Sequence, residues 1–127
     1  MTGRRLTGVI AACAFATGCG AVTGVDDRVC TAVYVSGLVV TVRDAATGAA
    51  VRDARVVARD GVYADTARGS FPDGDVAVYM LAGERAGTYA VRVEAAGYAA
   101  FERTGVRVTA DECHVRSVTV DVALRPQ

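Results

Sequence analysis

The chain has no lysine and no tryptophan, one histidine, two prolines and a single isoleucine, Ile10. Its 14 basic residues are all arginine, and 14 acids balance them to a formal net charge of zero. A nucleic-acid partner is therefore not expected, because such domains carry a clear excess of positive charge. One histidine cannot by itself supply the three or four ligands of a zinc site. Leucine is scarce and a helical period is nowhere convincing, which excludes a long bundle or coiled coil. No phosphate loop of the G-x-x-x-x-G-K-[ST] kind and no G-x-S-x-G elbow occurs. What is abundant is small and apolar. Hydrophobic residues make up 52% of the 127, with Ala and Val supplying most of them. Valine is β-branched and fits a pleated strand. The composition predicts one small valine-rich β domain rather than a disordered chain.

The first residues read as an address. Arg4 and Arg5 precede Leu6–Ala16, an uncharged and mostly apolar run. It is too short to span a bilayer, which takes about 20 residues, and it has the order of a secretory signal. Ala14-Phe15-Ala16 offers an A-x-A cleavage site. Phe15-Ala16-Thr17-Gly18-Cys19 resembles the bacterial lipobox, with Ala16 where Leu is usual. That resemblance implies a signal peptide over 1–18 and a diacylglyceryl thioether on Cys19. Gly20 follows where an inner-membrane retention signal places Asp, so the outer membrane is implied if the host has one.

Cysteine parity favours the lipid. Of Cys13, Cys19, Cys30 and Cys113, the first leaves with the signal. Ordinary cleavage leaves three, an odd number for an oxidising compartment. Lipidation of Cys19 leaves Cys30 and Cys113 free to pair; the alternative is two free buried thiols. Cys30 precedes the first predicted strand and Cys113 the last, and such strands are commonly neighbours. A bridge closing so long a loop contributes roughly 4–5 kcal/mol in the chain-entropy description.

Residues 19–30 read as a tether, small, turn-prone and acidic. Residues 31–127 read as seven strands separated by turn signals. These are Thr31–Arg43, Ala54–Arg59, Val62–Ala67, Val76–Leu81, Thr88–Ala95, Ala99–Thr109 and Val115–Leu124. Asp60-Gly61 is a two-residue hairpin signal. Leu38, Val40 and Val42 share a face, as do Val56 and Ala58, Val91 and Val93, and Val118, Val120, Val122 and Leu124. The expectation is an all-β, seven-stranded antiparallel two-sheet sandwich preceded by a signal peptide.

The stretch from Val35 to Pro126 resembles the carboxypeptidase regulatory-like domains, which have a transthyretin-like fold. The resemblance is carried by Val35–Asp44 with Thr47-Gly48, by Asp53–Ala58, by Gly87–Tyr98 in the pattern GTYAVRVEAAGY, and by Val118–Pro126. The loop before the central strand departs from the family, reading Phe71-Pro72-Asp73-Gly74-Asp75. Members of the family are accessory β modules, so the resemblance implies no catalysis and no cofactor.

Reactive chemistry is sparse. His114 reads as a surface or strand-edge side chain, and Ser36, Ser70 and Ser117 show no triad spacing. Asp73-Gly74-Asp75 and Asp26-Asp27 fall short of a calcium loop. Tyr89 and Tyr98 are expected at sandwich corners with hydroxyls bonded to backbone, and Tyr63 and Tyr79 in an exposed patch. Arg43, Arg55, Arg59, Arg92 and Arg107 are expected on a solvated, salt-bridged face. The functional expectation is a non-enzymatic cell-envelope lipoprotein held to the membrane through Cys19, with an envelope protein or glycan as possible partner. The alternative is a secreted carbohydrate- or peptide-binding module without lipid. A small hydrolase ranks third, and a carboxylate assembled on His114 is what would favour it.

Overall fold

The computed structural model describes residues 29–127. The predicted leader, Cys19 and the tether as far as residue 28 lie outside the described residues. What is described is all-β. The strand segments are β1 (Ser36–Asp44), β2 (Arg55–Asp60), β3 (Tyr63–Arg68), β4 (Phe71–Asp73), β5 (Val76–Gly83), β6 (Gly87–Glu94), β7 (Phe101–Ala110), β8 (Val115–Arg116) and β9 (Val118–Leu124). They form a four-stranded sheet in the order β4-β5-β1-β9 and a five-stranded sheet in the order β3-β2-β6-β7-β8.

The inward faces are those the alternation predicts. Leu38, Val40 and Val42 of β1 and Val120, Val122 and Leu124 of β9 meet Val56 and Ala58 of β2 and Val91 and Val93 of β6 in one core. Each of these side chains is essentially free of water contact. Burying a valine or leucine contributes about 1.5–3 kcal/mol, an upper figure because unfolded chains are partly collapsed. Two tyrosines, Tyr79 and Tyr89, fill the space that small aliphatic residues leave.

Local chemistry sets the ends of the strands. The β2–β3 turn is Gly61–Val62, one residue later than the Asp60-Gly61 signal suggests, with Asp60 paired to Tyr63. Gly61 has φ of 58°, and glycine at the first central position is what a II′-type hairpin requires. At the close of β1, Asp44 Oδ1 accepts the N–H groups of Ala46 (2.7 Å) and Thr47 (3.0 Å), an Asx-type turn. Its Oδ2 accepts the Tyr98 hydroxyl at 2.8 Å.

Four expectations need correction. First, β1 begins at Ser36, not Thr31; residues 31–35 form a strap whose polar groups bond to side chains and turns instead of a ladder. Second, the 68–75 loop contains the short strand β4, paired only with β5. β4 is an edge strand, the place in a sheet where a proline is accommodated. Third, the last predicted strand is divided at Ser117: β8 pairs with β7 in one sheet and β9 with β1 in the other. Counted as one run it makes eight strands, not seven. Fourth, β1 and β9 are parallel, so only the five-stranded sheet is fully antiparallel. Because β8 and β9 are one extended run, β8's antiparallel pairing with β7 fixes the direction of β9, and that direction is also β1's. Ser117 Oγ donates to the Ser36 carbonyl at 2.6 Å, tying the crossover to the start of β1.

Candidate functional site

The polar chemistry concentrates at the end of the sandwich where β1 starts and β5 and β7 finish. Cys30 and Cys113 are joined there by a disulfide spanning 83 residues of sequence. From the end of β5 into β6 the chain turns through Ala82 (φ 54°), the next-to-last residue of β5, and Glu84 (φ 50°). Left-handed backbone costs a non-glycine residue roughly 1–2 kcal/mol. Three bonds offset that cost. Asp65 Oδ2, on β3 of the opposite sheet, accepts the Ala82 N–H at 2.8 Å. The Glu84 N–H donates to the Val35 carbonyl at 2.9 Å, and the Arg85 N–H to the Ala82 carbonyl at 3.3 Å. Gly37 lies against this turn: a Cβ there would stand 2.6 Å from the Ala82 carbonyl oxygen.

The turn aims the Glu84 carboxylate at two partners. Its Oε1 accepts the Val35 N–H at 2.8 Å and lies 2.9 Å from His114 Nδ1. The other ring nitrogen, Nε2, is 3.1 Å from Thr31 Oγ1. The Val35 N–H, followed by the imidazole, holds the Glu84 carboxyl below its ordinary range. His114 is itself placed by a tight turn in which Asp111 Oδ1 accepts the N–H groups of Cys113 (2.9 Å) and His114 (3.0 Å). Those two N–H groups hold the Asp111 carboxyl low as well.

Beside this cluster stands a second one. The Arg85 guanidinium lies 4.0 Å from the centre of the Tyr63 ring. It donates to Tyr89 Oη and to Asp60 Oδ2, each at 2.9 Å. Tyr89 Oη in turn donates to the Arg85 carbonyl at 2.8 Å. These partners, Tyr89 before Asp60, raise the arginine's affinity for its proton.

Thr31, His114 and Glu84 stand in the order hydroxyl, imidazole, carboxylate, which is the order of a nucleophile, its base and the group that orients the base. Acyl transfer also needs donors aimed at a developing oxyanion. The two backbone amides of this turn, those of Cys113 and His114, are both bonded to Asp111. What the arrangement does is fasten the strap: the disulfide, Thr31, and Val35 at both its N–H and its carbonyl hold residues 30–35 to the body.

The remaining candidates fall as follows. Cys19 and Asp26-Asp27 lie outside the described residues. Tyr79 is not in an exposed patch; it is fully buried, with its hydroxyl donating to the Val51 carbonyl (2.8 Å) and accepting the Ala54 N–H (3.0 Å). It sits on the inward side of β5, in phase with Ala77 and Leu81. Tyr63 is half-buried under Arg85. Tyr89 bonds to backbone, whereas Tyr98 bonds to a carboxylate. Arg55 and Arg92 share Glu94, and Arg92 also reaches Glu102; Arg43, Arg59 and Arg107 form no ion pair among the described residues. Among the described residues no three His, Cys, Asp or Glu side chains gather as metal ligands. Glu84 and Thr31 carry no signal in the sequence, because each meets His114 only through the fold. No protein-family model matches the chain, and no curated protein matches it.

Proposed function

We propose that this protein is an exported cell-envelope lipoprotein, anchored through Cys19, whose single β-sandwich is a non-enzymatic binding or structural module of the carboxypeptidase regulatory-like kind. The observation that carries the reading is the Cys30–Cys113 bridge. Disulfides of this kind persist in oxidising compartments, and with Cys30 and Cys113 bonded to each other neither is available as a partner for Cys19. The segments that carry the family resemblance fall on β1 and the turn after it, at the start of β2, on β6 with the corner that follows it, and on β9. Two acyl chains make anchoring stable, since each buried methylene contributes about 0.8 kcal/mol. The non-enzymatic reading draws on the Thr31–His114–Glu84 group, where the amides of Cys113, His114 and Val35 are already bonded and the contacts serve the strap.

The test is the intact mass and the non-reduced peptide map of the exported protein. The expected product starts at an acylated Cys19 and carries Cys30 joined to Cys113. A product starting at Thr17 replaces the anchor with free secretion. A product retaining Met1, with all thiols alkylatable, overturns the reading.

A further inference from the structure

The large apolar side chains left in water are unevenly placed. Val33 (61% exposed) and Tyr34 (73%) lie on the strap, Val29 (89%) just before the bridged Cys30, and Val62 (108%) at the tip of the β2–β3 turn. All four are at the end that carries the disulfide. Ser36 pairs with Gly83, Asp60 pairs with Tyr63, and Arg85 joins Asp60, so the strap, the β5–β6 turn and the β2–β3 turn share that end. Tyr34 lies over Gly83, at the end of β5. The other exposed large apolar side chains among the described residues, Phe71 (55%), Val76 (45%) and Met80 (45%), are less exposed and lie along β4 and β5.

The same end is where the chain leaves toward Cys19. The eleven residue steps from Cys19 to Cys30 span at most roughly 40 Å when fully extended. One acid of this end, Asp60, is ion-paired to Arg85, and the Glu84 carboxylate is bonded to the Val35 N–H and lies against the His114 ring. The pairing of Asp60 lowers the cost of bringing that carboxylate toward lipid. Tyrosine and arginine, with apolar bodies and polar tips, suit a headgroup layer.

We propose that this end is a membrane seat: the strap and the β2–β3 tip rest on the lipid surface, with Val33, Tyr34 and Val62 in the headgroup layer. The seat rests on the lipid-anchor reading above. Its contact is apolar, so the surface it fits need not be anionic.

The absence of tryptophan makes the test clean, since an introduced indole is the sole reporter. The full chain is produced in a bacterial host as V33W, V62W and, at the far end, V76W, and each is reconstituted into phosphatidylcholine vesicles. Intact mass establishes acylation independently. The expected result is emission shifted to shorter wavelength and quenched by brominated lipid for V33W and V62W, with V76W unchanged. An acylated protein whose V33W and V62W emission stays that of indole in water overturns the seat and leaves the anchor standing. Equal shifts in all three variants overturn it too, because the domain then has no fixed face toward the bilayer. If the mass shows no acyl chain, the anchor reading fails. The same spectra at saturating lipid then decide the seat, a shift supporting it and no shift overturning it.

Discussion

The hydroxyl of Tyr98 donates to the carboxylate of Asp44 at 2.8 Å, joining residues 54 apart in sequence. The same carboxylate takes two backbone N–H groups from the turn after β1, so one side chain closes that turn and pins the β6–β7 corner to it. The Thr47 N–H first, and then the Tyr98 hydroxyl, hold the Asp44 pKa below its ordinary 3.8. The folded carboxyl gives up its proton more readily than the unfolded one. Its contribution is therefore full above 3.8 and is lost as the pH falls through the lowered folded value. In D44N that increment is missing. Urea midpoints measured across the acid range are expected to fall less steeply for D44N than for the parent, and parallel curves would show that Asp44 contributes nothing specific.

Tyr79→Phe removes a hydroxyl that satisfies two buried backbone groups, the Val51 carbonyl and the Ala54 N–H. Leaving buried polar groups unpaired costs about 1–3 kcal/mol. The variant is expected to keep its fold and lose stability in that range, measured by urea unfolding. Tyr63→Phe, altering a half-buried ring, is expected to change the midpoint much less.

Those two tyrosines mark where sequence stopped being legible. The alternation of Val and Leu in β1, β6 and β9 reports burial directly, because a period of two puts one whole set of side chains on one face. Nothing local reports that Tyr79 is inside while Tyr63 is not; that depends on which neighbouring side chains leave a gap. The change of sheet at Ser117 shows in the sequence only as a slip of phase, Val115 falling out of step with Val118, Val120 and Val122, which does not by itself say that the chain changes sheet. The bridge between Cys30 and Cys113 was accessible through parity and strand order. The Glu84–His114 contact was not, because it depends on a turn with two left-handed non-glycine residues that no motif announces.

Replacing both Cys30 and Cys113 with alanine opens a loop of 83 residues. Removing a native disulfide from a small exported domain typically costs about 2–5 kcal/mol. The double variant is expected to unfold at correspondingly lower urea, and the parent to match it once reduced. A parent whose midpoint ignores reductant would contradict this.

His114→Ala is expected to loosen the strap without melting the sandwich. The imidazole touches Thr31 and Glu84 and belongs to no part of the core. Hydrogen exchange is expected to speed up at the Val35 amide, whose acceptor is the Glu84 carboxylate, while Val40 and Val122 stay protected. Uniform acceleration across the strands would mean that the histidine supports the whole fold.

The bridge also decides how the domain bears mechanical load. A tug on the chain before Cys30 is handed straight to Cys113, so everything from Thr31 to Glu112 sits inside a covalent ring that tension cannot unspool. Pulled between Cys30 and the C-terminus, the strands of the oxidised domain lengthen only by peeling β8 and β9, and the contour hidden in β1 through β7 is released only after chemical reduction.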